Sequence, residues 1–206
     1  VPSNAPVVGF GFDEEAPVAS DAVAGFRRRH GIEGDYLLYF GRKEEGKNLP
    51  FLLGAFRGCR DAGNGLSLVV AGDGSIPESV RPRGVIDLSR LDEEEKRVAC
   101  AGALALCQPS VNESFSIVIM EAWLQGTPVL VNAACPVTRR HARESGGGLA
   151  FADAAELAAL VDHLRANPDD ARTLGRNGRA YVLEQYTWPV VTERFAAALD
   201  RILGVA

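Results

Sequence analysis

The chain has 206 residues, 47% of them hydrophobic and 24% charged, with a formal net charge of −5. That balance suits one well-filled globular domain with room for a small appendage. No long basic run points to nucleic acid or a membrane surface, no apolar stretch reaches transmembrane length, and Val1 onward does not read as a signal peptide.

Residues 1–17 are rich in Pro and Gly, with one short strand-like piece at 7–12. Residues 19–30 form the first predicted helix, stopped at Gly31. Residues 36–40 (YLLYF) read as a strand of the continuous apolar kind found in parallel sheets. A loop at 41–47 follows, and Asn48 is expected to cap a helix running to about residue 62, with Leu52, Ala55, Phe56 and Cys59 on one face. Residues 66–71 and 84–88 are two further buried strands, the first ending in Gly72-Asp73-Gly74. Residues 92–101 form a short helix whose first turn is acidic, as the helix dipole favours. A strand at 104–107 is stopped by Pro109, and 116–124 is apolar on almost every side, as a buried helix is. Strands at 129–131 and 149–151 flank a helix at 137–144. Three helices close the chain. The first carries Leu157, Leu160, Val161 and Leu164, and the second starts at Asn167-Pro168-Asp169-Asp170. The third, after Thr187-Trp188-Pro189, is expected to bury Val191, Phe195, Ala198 and Ile202. Apolar strands alternating with helices imply an α/β fold: a doubly wound parallel sheet of about six strands with helices on both faces. Cys59, Cys100, Cys107 and Cys135 are widely spaced in apolar surroundings and read as reduced core cysteines of a cytoplasmic protein, without zinc spacing or a disulfide framework.

Ligands of such a sheet sit beyond the carboxyl ends of its strands, so the loops beginning at Gly41, Gly72, Leu88, Pro109 and Asn132 are the ones to inspect. The fourth leads into the buried helix. First-turn amides near Phe115, Ser116 and Ile117 are unpaired and sit at a partial positive charge, which suits an anion. Glu121 is the one charge in that helix, and Glu113 lies in the loop before it. An ionised carboxylate on a helix with little solvated surface needs donors, and a vicinal diol supplies two. Taken singly, Glu121 would pair with an Arg and Glu113 would be solvated. Two carboxylates bracketing a strand–loop–helix entrance favour binding instead. The Gly41 loop (GRKEEGKN) matches the phosphate-loop pattern G-x-x-x-x-G-K, but Asn48 stands where Ser or Thr should hold magnesium, and Glu44 and Glu45 would face the phosphates. The other reading makes Arg42 and Lys47 two separate cations at the sheet edge.

Glu113-Ser-Phe-Ser-Ile-Val-Ile-Met-Glu121, followed by Ala-Trp-Leu-Gln-Gly-Thr-Pro-Val129, resembles the Glu-seven-residues-Glu motif of group 1 glycosyltransferases. These are retaining, nucleotide-sugar-dependent enzymes of the GT-B fold. The resemblance runs from Phe10 to Ile202 and maps onto the second, C-terminal of their two Rossmann-like domains. It implies that Arg42 and Lys47, in a loop matching the family at Gly41, Arg42, Lys47 and Asn48, hold the charge of the departing diphosphate with the amides at 115–117. No metal or other cofactor is implied, and the chain has no Asp-x-Asp pair. Glu121 would hold the ribose and Glu113 the donor sugar, so Arg42, Lys47 and Glu113 are the implied catalytic set, without a general base. Gly41, Gly72, Ser114, Phe115, Ser116 and Ile117 would complete the nucleotide-sugar site. Gly72-Asp73-Gly74 resembles the family's turn there. Base contacts fall at Arg90 and Leu91, beside a Ser89 that replaces the usual Gly. Residues 132–145 depart from the family's Gly-rich segment, so Arg139, Arg140, His141 and Arg143 read as a basic helix surface.

The division implied is a linker remnant at 1–17, a nucleotide-sugar-binding domain at 18–186 and a helix at 187–206 that returns to a missing N-terminal domain. The implied partners are a nucleotide sugar and that missing domain of the same polypeptide, through which alone any peripheral membrane contact would be made. The isolated domain is then expected to bind donor weakly and transfer nothing. A phosphate-loop NTPase and a non-catalytic nucleotide-binding module stay open, and base, sugar and acceptor are not given by these residues.

Overall fold

The computed structural model describes residues 8–60 and 65–203. Six parallel strands make one sheet: β1 (Tyr36–Phe40), β2 (Ser67–Ala71), β3 (Val85–Leu88), β4 (Ala105–Gln108), β5 (Val129–Asn132) and β6 (Gly148–Phe151), in the order β3-β2-β1-β4-β5-β6. The helices are α1 (Ser20–Arg29), α2 (Leu49–Arg60), α3 (Glu93–Ala101), α4 (Ile117–Leu124), α5 (Pro136–Ser145), α6 (Ala154–Ala166), α7 (Pro168–Gln185) and α8 (Trp188–Leu203). This is the doubly wound, Rossmann-like arrangement expected.

The strands divide their residues between two cores because successive side chains point to opposite faces. Tyr36, Leu38 and Phe40 join Val69, Leu106, Val129 and the helices α1, α3, α4 and α7. Leu37 and Tyr39 join Leu68, Val70, Cys107 and Leu130 beneath α2 and α6. All four cysteines are buried and unoxidised. Local signals set the helix starts: Asp92 Oδ1 accepts from Glu95 N (2.8 Å) at α3, and Asp153 Oδ1 accepts from Glu156 N (2.9 Å) at α6.

Several expectations need correction. Of the strand proposed at 7–12, Val7 lies outside the described residues and the rest makes a single bridge, Phe12 with Thr187. That bridge stitches the N-terminal segment to the bend before α8, with Phe12 N donating to Tyr186 O (2.7 Å) and Trp188 N to Phe12 O (3.1 Å). Asn48 stands before α2 in a left-handed conformation (φ 56°), and its side-chain amide donates across the sheet edge to Pro109 O at 3.0 Å. On α8, Val191 and Ala198 are buried, but Phe195 is 51% and Ile202 70% exposed. His141 does not belong to the basic surface of α5. Arg139, Arg140 and Arg143 are exposed, whereas His141 is buried among Phe115, Tyr181 and Tyr186 and shares a hydrogen bond with the Tyr181 hydroxyl (2.9 Å).

α7 packs on α4 by virtue of a glycine. A Cβ on Gly175 would stand 1.8 Å from the Gly126 carbonyl oxygen, a backbone atom that cannot rotate away. Alanine has the better helix propensity by about 1 kcal/mol, but overpacking costs about 1–3 kcal/mol, so Gly175→Ala should lower the denaturant midpoint. An unchanged or raised midpoint would contradict this contact.

Burial, assisted by the nearby Arg140 and opposed by Glu144, lowers the His141 imidazole from its ordinary 6.5 to about 4. A lowered value means that its contribution is complete above pH 6.5 and is lost as pH falls from there towards 4. The melting temperature should therefore drop more steeply across that window than in His141→Phe. Parallel curves for the two proteins would refute it.

Candidate functional site

β1 and β4 are neighbours, but the chain leaves them towards opposite faces: β1 leads to α2 over one core, β4 to α4 over the other. The diverging connections open a crevice at the carboxyl edge, the usual ligand position in such sheets. A cavity of about 240 Å³ lies there, lined by Phe40, Gly41, Lys47, Gln108, Glu113 and residues 114–118, with Phe10.

Side-chain amides hold the entrance loop. Pro109 O accepts from Asn48 Nδ2 and Asn132 Nδ2, each at 3.0 Å, so the ends of β1, β4 and β5 meet on one carbonyl. Ser116 takes a left-handed conformation (φ 71°) uncommon for a residue with a side chain, and its buried Oγ accepts from Gln108 Nε2 at 3.1 Å. Phe115 sits in an aromatic box with Phe10, Phe12, His141 and Tyr186. The strained turn into α4 is thereby over-determined by its surroundings. Gln108 went unremarked in the sequence, although a polar residue at the end of an apolar strand was the signal. It lines the cavity, 4% exposed, and its Oε1 has no partner.

The charged groups are arranged as lysine–carboxylate pairs. Lys47 Nζ lies 2.8 Å from Glu113 Oε1, and the Glu113 side chain is 10% exposed, so it is not a solvated loop residue. Glu121 meets Lys96 of α3 at 2.7 Å, where an Arg had been the plainer expectation. Burial would lower the Lys96 ammonium, but the hydrogen bonds it donates to Glu121 and Glu93 outweigh it and hold the group above its ordinary range. Glu121 lies one turn beyond the cavity-lining Val118 and borders a separate narrow cleft of about 20 Å³ with Glu15, Glu93, Lys96, Arg97 and Cys100.

Of the residues singled out from sequence, Gly41, Lys47, Glu113, Ser114, Phe115, Ser116 and Ile117 therefore share one cavity, and Glu121 lines the separate cleft instead. Arg42 is turned to Glu44 (3.1 Å) with its side chain 65% exposed. Arg90 is exposed, and Leu91 is a core residue. Gly72 makes the ends of β1 and β2 fit together: at φ 135°, its Cβ would stand 2.1 Å from Gly41 O. The phosphate-loop reading loses its physical basis. Such a loop needs free amides, yet those of Lys43, Lys47 and Asn48 donate to Asp73 O, Glu44 O and Glu45 O.

Comparison with known proteins gives the family. The family model described as "Glycosyl transferases group 1" matches residues 25–181. The phosphatidyl-myo-inositol mannosyltransferase of Mycobacterium leprae is 28% identical over 211 residues, covering 97% of this chain and 54% of the relative. The MMP alpha-(1->4)-mannosyltransferase of Mycolicibacterium hassiacum is 29% identical over 138 residues, covering 64% of this chain and 34% of the relative. The chain thus spans between a third and about half of the length of these relatives. Among solved structures, Anabaena HepE in complex with UDP-glucose superposes with a TM-score of 0.80 at 18% identity, over 93% of this chain and 56% of that one, a likeness of fold. On the family match across residues 25–181, the chain belongs to the group 1 glycosyltransferases.

Proposed function

We propose that this chain is the donor-binding half of a retaining, metal-independent glycosyltransferase that moves a hexosyl group from a nucleoside-diphosphate sugar to a sugar, glycan or lipid-linked acceptor. The observation that carries the reading is the cavity at the β1/β4 divergence. It gathers a cation (Lys47), a carboxylate (Glu113) and the start of α4. The names of the relatives, mannosyltransferases and glycogen synthases, and of HepE with its UDP-glucose support it.

In this reading the diphosphate lies on Lys47 and the amides at 115–117, whose fixed dipoles need no reorganisation as charge develops on the leaving group. Arg42 swings in from Glu44. An exposed ion pair of this kind is worth at most about 1 kcal/mol, so the exchange is cheap. Glu113 turns from Lys47 to the sugar hydroxyls, and Glu121 takes the ribose hydroxyls beside Lys96. The acceptor hydroxyl attacks from the face that the diphosphate leaves. A second Rossmann-like half of the same polypeptide supplies the acceptor site, so that this half alone does not transfer. The greater length of the relatives supports that arrangement, as does the exposed apolar face of α8 at Phe195, Leu199, Ile202 and Leu203. No helix among the described residues is long and apolar enough to cross a membrane.

Calorimetry with UDP, GDP and ADP, with and without magnesium, tests the reading. At least one diphosphate should bind equally well in either condition. Glu121→Ala should weaken it by at least about tenfold, the loss expected for hydrogen bonds to a charged group. Binding of ATP with magnesium alone, indifferent to Glu121, would refute it.

A further inference from the structure

Outside the residues assigned so far, Lys43 is a nearly buried charge with several partners among the described residues. Its side chain is 2% exposed, and its ammonium lies 2.8 Å from Asp87 Oδ1, whose carboxyl group also accepts from Ile76 N at 3.0 Å. The same ammonium donates to Gly74 O (3.2 Å) and to Leu88 O. The ammonium thus donates to two carbonyl oxygens and faces the Asp87 carboxylate as an ion pair. Its backbone is tied in as well, with Lys43 N donating to Asp73 O at 2.9 Å. One side chain therefore joins the connections that leave β1, β2 and β3 at the carboxyl edge.

Burying a lysine costs several kcal/mol in desolvation, and an apolar pair of similar volume would serve stability as well or better. What an apolar pair lacks is direction. Lys43 holds two main-chain carbonyls, and one of them, Leu88 O, opens the segment 89–92 that leads into α3. If the diphosphate lies at Lys47 and the ribose at Glu121, the base extends beyond Glu121. There α4 meets α3 at Lys96, and segment 89–92 runs into Glu93, which lines the cleft beside Glu121.

We infer that Lys43 is a positioning residue for the nucleotide end of the site: it fixes the loops after β2 and β3 in the register that receives the base, and so sets affinity for and discrimination among nucleoside diphosphates. This rests on the donor-site reading above. Lys43 itself touches no substrate.

The test is calorimetric titration of the chain with UDP, GDP and ADP. The proteins compared are the unaltered chain, Lys43→Arg, and Lys43→Met combined with Asp87→Asn. The double substitution removes both charges while keeping an acceptor for Ile76 N. Lys43→Arg retains the charge opposite Asp87, but its larger planar head cannot reproduce two carbonyl contacts and an ion pair arranged about one nitrogen. Thermal melts identify the folded variants. In each folded variant the best-bound nucleotide should weaken by at least about tenfold, and its lead over the other bases should shrink, as expected for losing hydrogen bonds from a charged group. If a folded variant keeps both the affinity and the ranking, the role given to Lys43 is overturned while the donor-site reading stands. If the unaltered chain binds none of the three diphosphates, the donor-site reading fails and this inference falls with it.

Discussion

The constraint on which the rest depends is the parting of the chain at β1 and β4. The two strands are hydrogen-bonded neighbours, yet the helices that follow them cover opposite faces of the sheet. Two connections that must separate cannot pack against each other, so the carboxyl edge stays open at that point. The open edge must still be held in shape, since loose connections would close over it. Asn48 and Asn132 reach the Pro109 carbonyl from either side, and the aromatic box around Phe115 fixes the turn into α4.

Along this edge three lysines take three carboxylates: Lys43 with Asp87, Lys47 with Glu113 and Lys96 with Glu121. They differ in burial, and burial decides what each can do. Both partners of the first pair are nearly sealed, so the pair is a fixture that joins three loops. The lysines of the other two keep part of their side chains open to solvent. Arg42, largely exposed, pairs with Glu44 of its own loop.

Much of this was legible in the residues. Strands with a near-continuous apolar reading, such as 36–40, have no competing interpretation, because both faces of a parallel sheet are covered. Capping and breaking residues marked most helix ends to within a residue or two, as Asp92 and Pro168 did. The reading went astray where one-dimensional pattern under-determines the partner. His141 stands between arginines and looked like surface, but the helix turns it inward while they face out. Phe195 and Ile202 have core spacing on α8, yet no described element covers them. Asn48 looked like a simple cap, but its amide is used across the sheet edge.

By itself, the sequence determined the doubly wound sheet and the position of the crevice, because these follow from local periodicity and turn chemistry, and the resemblance of the stretch from Glu113 to Glu121 to a known motif pointed to the family. Only the tertiary structure decided which charge faces which. Lys43 and Lys47 lie four positions apart in one loop, but the first is sealed against Asp87 and the second lines the cavity opposite Glu113. A side chain's charge is written in the sequence. Its partner and its access to water are set by which loops the packed sheet brings within about 3 Å of it, and those loops come from residues far away along the chain.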